Sequence, residues 1–425
     1  MEQERLKKVY ILTLCIAMFN KLPDIAFPWW FKYIHCVIWI SIFLYKVDGR
    51  LYKRGDYVLT LSLATIKRIF LTPYLVFFAL APVGWLSYIE STRFNMITRA
   101  VSSTLQFSLI VFSVTATAYI FRERLLKYTF HAMVLNYSII IMIAIYKCGI
   151  IDFIQTGLVP FGTAATRLTD DLLSARILEV HDLTFAAGFF FIYFLVWYKK
   201  IKSHRMSYLL LSVMLLYLGY KRIELGALAV IVCFAIMIDV RRKRSIRVWN
   251  MVYSVSILLV MYLFLWVIDS GLLKELVDGY GINLMHREKT YIYMSRFFSM
   301  SPSYIGRGMA AAIRLNLAGI AEGVWMVMGH SEILFNYIDH GFWGFTFWII
   351  YCCYIVTRQL QKKFGNDAAK IWMLFTAYAF ITYMTDNTAG YFAFQISYMV
   401  VLFHVLYTAK KNPTIKHGWT AMREV

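Results

Sequence analysis

Apolar stretches alternate with short polar and basic segments along the whole chain. A helix needs roughly 20 apolar residues to cross the hydrocarbon layer of a membrane, and we predict about twelve such spans. They cover 9–20, 27–45, 70–88, 101–121, 132–146, 183–197, 207–218, 225–238, 251–268, 333–356, 371–384 and 392–407. The pattern predicts an all-α fold, a polytopic membrane helical bundle in which residues 1–425 form a single integral membrane domain.

Composition agrees with a membrane protein. Hydrophobic residues make up 60% of the 425 residues and charged residues 16%, and the mean hydropathy is +0.59. A chain this apolar cannot bury its surface in one soluble core, so lipid is the expected solvent. The net charge is +20, but the basic residues lie in short runs instead of one patch, which argues against nucleic acid as a partner.

The positions of Lys and Arg predict the orientation. When the connections between predicted spans are taken alternately, one set holds most of the basic residues, including the run 241–244. The positive-inside rule assigns that set to the cytoplasm. Both termini are then expected in the cytoplasm, and residues 269–332, between the ninth and tenth helices, form a large extracytoplasmic loop.

Cysteine spacing gives no sign of a cofactor site. The six cysteines lie in or near apolar stretches and form no Cys-x-x-Cys motif, so neither a disulfide framework nor a zinc site is indicated. An Asp-x-Asp motif or a cluster of carboxylates that would hold a divalent cation is also lacking in the sequence. We therefore expect no metal and no cofactor.

Two connections on the predicted external side carry basic residues next to apolar spans. In 147–182, a short surface helix delivers Arg176 to the following span. In 219–226, Lys221 and Arg222 lie at the membrane boundary, where charged groups are costly unless they are paired or solvated. An arginine near a helix end also commonly extends to the headgroups, so the position alone does not assign a function.

The long loop combines an arginine, a glycine turn and a histidine in that order. Arg287 is followed four residues later by Tyr291 and then by Gly306-Arg-Gly308. His330 ends the loop, and the apolar helix after it contains Gly341-Phe-Trp-Gly344. A histidine at this point would face water at the mouth of the membrane.

In this order the segments resemble the bacterial polysaccharide polymerases and O-antigen ligases of the lipid-linked glycan pathway. That family has a helical membrane fold, a large external loop between two late spans, a serine-arginine pair in a short external turn and a histidine at the loop end. Lys221 replaces the serine here, and His181-Asp182 replaces the polar-Asn pair that follows an upstream arginine in the family. The resemblance covers residues 160–400.

The resemblance implies a glycosyltransferase that moves a glycan from a polyprenyl (undecaprenyl) diphosphate to a sugar hydroxyl. The reaction would take place at the outer face of the bacterial cytoplasmic (inner) membrane. A polysaccharide (O-antigen or exopolysaccharide) polymerase is the main expectation, and an O-antigen ligase is the alternative, because no residue names the acceptor. The implied partners are a polyprenyl-diphosphate-linked oligosaccharide, membrane lipid and, as a candidate, a chain-length regulator.

Arginines are the implied binders of the diphosphate. The leaving group gains negative charge, and in a metal-independent reaction guanidinium groups can neutralise it. Arg222 is the first candidate for this catalytic role. Arg176, Arg287 and Lys221 are the candidate substrate-binding residues.

The acceptor hydroxyl must lose a proton as it attacks the anomeric carbon. His330 is the candidate base, an effect typically worth about 10²–10⁴ in rate. Glu332 is the alternative catalytic base.

A flippase or another transporter of similar helix count is the remaining interpretation. Transporters tend to have internal repeats and binding sites at the bilayer midplane. The sequence has no evident repeat, and Lys32 is the single candidate for an ionisable group well inside a predicted span. The polar residues concentrate at the predicted external face, which favours chemistry at the surface over passage through the membrane.

Overall fold

The computed structural model describes residues 2–19, 21–22, 25–28, 30–47, 56–87, 93–151, 153–154, 181–197, 205–219, 221–240, 243–280, 287–321 and 330–411. The α-helices are α1 (Glu2–Ala17), α2 (Phe31–Val47), α3 (Tyr57–Ser87), α4 (Arg93–Phe121), α5 (Arg124–Cys148), α6 (His181–Val196), α7 (Arg205–Gly219), α8 (Arg222–Met237), α9 (Lys243–Asp269), α10 (Leu272–Tyr280), α11 (Arg287–Ser295), α12 (Ala311–Ala321), α13 (Glu332–Ile349), α14 (Val356–Phe364), α15 (Asn366–Thr385) and α16 (Phe392–Lys411). A π-helical segment (Ile350–Ile355), a 3-10 turn (Thr388–Gly390) and a two-residue antiparallel pair, β1 (Lys21–Leu22) with β2 (Ile25–Ala26), complete the described elements.

Every apolar stretch picked out from the sequence contains a helix, so the predicted all-α class is confirmed. Among the described residues, five helices are long and apolar enough to cross a membrane. They are Tyr57–Ser87, Asn95–Phe121, Arg124–Lys147, Arg244–Asp269 and Phe392–Lys411. The chain is therefore a helical membrane protein. The helices α6, α7 and α8 have 16, 15 and 16 residues, about 24 Å at most, which is shorter than the roughly 30 Å of a bilayer core.

Internal packing divides the chain into two units. The first unit consists of Met1–Ile66, Leu109–Val232 and Gly390–Val425. The second unit consists of Lys67–Ser108 and Cys233–Ala389. Each unit is built from segments that are distant in the sequence, because helices from different parts of the chain bury their apolar faces against one another.

The first unit is centred on two helices that are apolar all round. Nearly every residue of α6 and α16 is buried, which is expected of a helix surrounded by others. The two helices pack against each other, and Phe189 of α6 stacks on Tyr398 of α16 with ring centroids 4.5 Å apart. Aromatic side chains thus fill the centre of this unit.

The second unit is centred on α15, which packs against α9, α13 and α14. Trp372 of α15 is buried and donates a hydrogen bond of 2.8 Å from Nε1 to the carbonyl of Cys352. The segment 269–332, predicted as a loop, contains the short helices α10, α11 and α12. Of these, α11 and α12 pack against one another, and α12 also packs against α13.

Glycines allow a loop of the second unit to enter a break in α13. Gly341 interrupts the helix with φ 66° and ψ −172°, and Gly306 of the loop has φ 85°. The amides of Arg307 and Gly308 donate at 2.9 Å to the carbonyls of Ile338 and Asp339, which the break in the helix leaves without their helical partners. A Cβ on Gly341 would lie 2.3 Å from the Gly306 nitrogen. The two glycine motifs of the sequence therefore have a structural role, since only glycine permits this crossing.

Candidate functional site

A histidine and an aspartate face each other in the second unit. His330 lies two residues before the first residue of α13, and Asp386 immediately follows α15. The His330 Nδ1 lies 3.6 Å from an Asp386 carboxylate oxygen, and the two side chains are 28% and 6% exposed. The distance is longer than a hydrogen bond but within the range of direct charge interaction. The site thus offers a partly exposed imidazole beside a buried carboxylate.

Tyr291 holds the backbone at His330. Its hydroxyl donates a hydrogen bond of 3.1 Å to the His330 carbonyl, and its side chain is buried. Burial raises the pKa of the Tyr291 phenol, Arg287 lowers it and Asp386 raises it further. Tyr291 therefore stays a neutral donor, and both charged groups lie close enough to act on it.

Ser331 connects the start of α13 to the end of α15. Its side chain is the N-cap of α13 and accepts a hydrogen bond of 3.2 Å from the Leu334 amide. The same hydroxyl lies 3.5 Å from the Tyr383 carbonyl, to which it donates. Because Tyr383 belongs to the last turn of α15, these contacts set the position of His330 relative to Asp386.

Arg287 reaches the same helix end from α11. One guanidinium nitrogen donates a hydrogen bond of 2.5 Å to the Thr385 carbonyl, one residue before Asp386. A cation at the C-terminal end of a helix is favourable, because the last carbonyls lack helical partners and the helix dipole is negative there. Arg287 is half-buried, and its guanidinium has further donors that could hold an anion.

Glu332 lies two residues after His330 and is partly buried. It accepts a 3.4 Å hydrogen bond from the Asn336 side chain. Burial, together with the nearby carboxylates of Asp339 and Asp386, raises the pKa of Glu332 to about 7. The carboxyl group can therefore gain or lose a proton near neutral pH.

The other predicted site residues belong to the first unit or lie outside the described residues. Lys221 lies in the turn before α8, where its carbonyl accepts hydrogen bonds from the amides of Glu224 and Leu225 at 3.0 and 3.1 Å. Arg222 is the first residue of α8. Arg176 lies outside the described residues. The structure thus brings Arg287, His330 and Glu332 together in the second unit and assigns Lys221 and Arg222 to the first.

The end of α7, which precedes Lys221 in the chain, packs closely against α6 in the first unit. A Cβ on Gly219 would lie 1.9 Å from the Thr184 hydroxyl, so this position accepts only glycine. Thr184 in turn shares a 2.8 Å hydrogen bond with Tyr137, whose hydroxyl donates to the Leu215 carbonyl at 3.0 Å. The beginning of α6 and the end of α7 are therefore held together, next to Lys221 in the chain.

Sequence reasoning missed Asp386 and the role of Tyr291. Asp386 had a detectable signal, because it is the single Asp, Glu, Lys or Arg between Lys370 and Lys410. A carboxylate in a turn between two apolar helices calls for a partner. That the partner is His330, from a segment more than fifty residues earlier in the chain, follows only from the packing of α13 on α15.

Metal ligands do not cluster in the part of the chain that the structure describes: no group of three or more His, Cys, Asp or Glu side chains there could hold an ion. The chemistry available at the site is proton transfer by His330 or Glu332 and charge neutralisation by Arg287. No protein-family model, curated sequence or solved structure matches this chain with significance.

Proposed function

We propose that the protein is a polysaccharide (O-antigen or exopolysaccharide) polymerase. It is a membrane glycosyltransferase that moves a glycan from a polyprenyl diphosphate to a sugar hydroxyl at the outer face of the bacterial cytoplasmic membrane. The observation that carries the proposal is the pair of His330 and Asp386 beside Arg287, because it combines a base with an anion-binding group. The order of basic and histidine segments in the sequence supports the same function.

The proposed topology gives the site access to the outer face. About twelve spans with both termini in the cytoplasm place Asp386 and the segment 269–332 outside. A reporter fused near Gly281 should then report the outside, and one fused after Lys363 should report the cytoplasm. A cytoplasmic signal from the Gly281 fusion would contradict the proposed site.

His330 is the proposed base. The acceptor hydroxyl oxygen attacks the anomeric carbon and forms the new glycosidic bond, while its proton passes to the imidazole. The bond from the anomeric carbon to the phosphate oxygen breaks, and the diphosphate leaves with the electron pair. With Nδ1 directed at Asp386, Nε2 is the nitrogen that accepts the proton.

Asp386 is the proposed positioning residue. Its carboxylate favours the tautomer of His330 in which Nδ1 carries the proton. It also stabilises the imidazolium that forms during the reaction. The 3.6 Å separation would need to shorten by about 0.5 Å to make a hydrogen bond, a change typical of sites that tighten when substrate binds.

Arginines are the proposed groups that hold the diphosphate. One donor of Arg287 anchors it to the end of α15, at the residue before Asp386. Arg222, Lys221 and Arg176 are proposed to bind the donor as well. Planar guanidinium groups suit this role because they can bind two phosphate oxygens at once and keep their charge at any physiological pH.

Purified protein incubated with a lipid-linked repeat unit tests the proposal. A polymerase should produce a ladder of lengthening glycans on the lipid carrier. A single transfer to a separate acceptor would instead indicate a ligase. If cells lacking the protein keep the repeat units on the cytoplasmic side, the polymerase proposal fails and a flippase accounts for the result.

A further inference from the structure

A cavity in the second unit lies outside the group around His330. Its volume is about 270 Å³, slightly below the range of about 300–1,000 Å³ that is usual for small-molecule sites. It is lined by Asn95, Met96 and Arg99 of α4, by Ala310, and by Arg314, Leu317 and Ala318 of α12. The proposed glycan transfer uses none of these residues. A cavity of this size fits a headgroup-sized fragment better than an oligosaccharide.

Two arginines line this cavity from different helices. Arg99 is exposed and Arg314 is half-buried. Within the described residues, neither guanidinium makes an ion pair or a hydrogen bond to a side chain or carbonyl. Two cations facing one cavity repel each other unless an anion lies between them. Guanidinium groups bind phosphate through paired donors, so a phosphate is the anion that this arrangement suits.

Apart from Asn95, the other residues that line the cavity are apolar. Met96 and Ala310 belong to a buried cluster that also contains Trp85, while Leu317 and Ala318 of α12 form the other side. An inorganic phosphate would leave this apolar wall in contact with water. A ligand that carries both a phosphate and hydrocarbon would cover it.

The cavity is built on a fixed framework. The Asp339 carboxylate accepts hydrogen bonds from the amides of Ala310 and Ala312 at 2.8 and 2.7 Å, which holds the start of α12. Trp85 donates from Nε1 to the Met309 carbonyl at 3.1 Å. Ala310 has φ 72°, a conformation that residues with a Cβ rarely adopt and that the surroundings must impose. The position of Arg314, one turn further along α12, is thereby defined before any ligand binds.

Arg99 is close to the end of a membrane-spanning helix. The candidate span Asn95–Phe121 has 27 residues, which corresponds to about 40 Å and exceeds the roughly 30 Å hydrocarbon layer. Its first turns therefore reach the level of the lipid headgroups. Lipid phosphates lie at the ends of a membrane span, and Arg99 is four residues from the first residue of this one.

We propose that the cavity binds the phosphate of a bilayer phospholipid, with Arg99 and Arg314 on the phosphate oxygens and the glycerol and first methylenes against Leu317 and Ala318. Three features favour a phospholipid over other phosphates: the apolar wall, the small volume, and the position of Arg99 near the end of a membrane span. The proposal is independent of the polymerase activity.

The proposal can be tested by calorimetry. The measurement is the binding of short-chain phosphatidylglycerol to the full-length protein in detergent. Inorganic phosphate, short-chain diacylglycerol and undecaprenyl phosphate are the comparison ligands. The phosphatidylglycerol should bind at least about tenfold more tightly than each of them, because only it matches the charge, the apolar wall and the size together. Equal or tighter binding of undecaprenyl phosphate would overturn the assignment to a phospholipid, and equal binding of inorganic phosphate would overturn the role of the apolar wall.

Variants connect the binding to the cavity. Arg314→Gln and Arg99→Gln should each weaken phosphatidylglycerol binding at least about tenfold, since each removes a charged donor pair. Ala318→Phe keeps both charges but fills the cavity, and should weaken binding similarly. Arg296→Gln is the matched control, an exposed arginine of the same unit that lies over the Tyr293 ring. Unchanged binding in correctly folded Arg314→Gln and Ala318→Phe, or an equal loss in Arg296→Gln, would overturn the proposal.

Discussion

Two histidines, one in each unit, have opposite surroundings. His404 of the first unit is buried, and its Nδ1 shares a 3.0 Å hydrogen bond with the Tyr193 hydroxyl. His330 of the second unit is 28% exposed, and its Nδ1 lies 3.6 Å from Asp386 with no hydrogen bond to a described residue. A buried polar group with its partner in place stabilises a fold. A partly exposed imidazole beside a carboxylate can take up a proton and reach a substrate.

The largest effect is expected from removing each histidine in turn. His330→Ala should lower polymer formation at least about 100-fold per folded molecule, because the proposed base is lost, while lipid-linked donor still binds. His404→Ala should instead lower the free energy of unfolding by about 1–3 kcal/mol, because Tyr193 loses its partner, with transfer per folded molecule unchanged. Glycan ladders normalised to the folded fraction provide the measurement. Equal losses of transfer in both variants would remove the distinction between the two histidines.

The partners of the histidines should differ in the same way. Asp386→Asn should lower kcat about tenfold or more and leave the KM for donor unchanged, because the carboxylate stabilises the imidazolium only during the reaction. Asp386→Glu should restore part of the rate. Tyr193→Phe is the matched control and should change thermal stability without changing kcat. A rise in KM with an unchanged kcat in Asp386→Asn would show that Asp386 acts in binding instead.

Arginine variants compare the two units directly. Arg222→Lys and Arg287→Lys keep the charge but lose the planar pair of donors, so each should lower transfer several-fold, by roughly 1 kcal/mol of transition-state stabilisation or more. Arg296→Lys, at an exposed position that contacts Tyr293, should leave transfer unchanged. Near-normal activity of Arg222→Lys would mean that the Arg222 side chain only extends to the lipid headgroups. Binding of the diphosphate would then be assigned to Arg287 of the second unit.

The smallest effect is expected at Glu332 and depends on pH. Since the folded-state pKa is raised to about 7, the folded protein binds a proton more readily than the unfolded chain between about pH 4.5 and 7. Stability should therefore fall as pH rises through this window. Glu332→Gln removes the titration, so its melting temperature should exceed that of the wild type more at pH 8 than at pH 5. A difference that is the same at both pH values would show that Glu332 does not titrate in this range.

Much of the fold could be predicted because hydrophobic periodicity and length act locally. Each apolar stretch became a helix, and α6 and α16, apolar on all faces, are buried all round. The interior of 269–332 could not be predicted in the same way. Its helices α10 and α11 have only 9 residues each, too short to form without tertiary contacts, so their sequence alone does not indicate them.

Some residues of the candidate site could be identified from local sequence, and others could not. Arg287, His330 and Glu332 were identified from charge and position near an apolar helix, and the structure groups them in one unit. Gly306 and Gly341 were identified as a pattern, but their function in the crossing of a loop through α13 depends on a partner distant in the chain. Asp386 was missed because a single carboxylate in a turn acquires meaning only from the side chain that faces it.

The sequence by itself determined the all-helical membrane character, because the need to bury apolar surface and to satisfy backbone hydrogen bonds within each span acts on every stretch separately. Tertiary structure alone decided which polar groups meet. The approach of His330 to Asp386 and the shared cavity of Arg99 and Arg314 each join residues from separate helices. Such pairs form only when packed helices bring distant residues within a few ångströms, and local sequence carries no record of that distance.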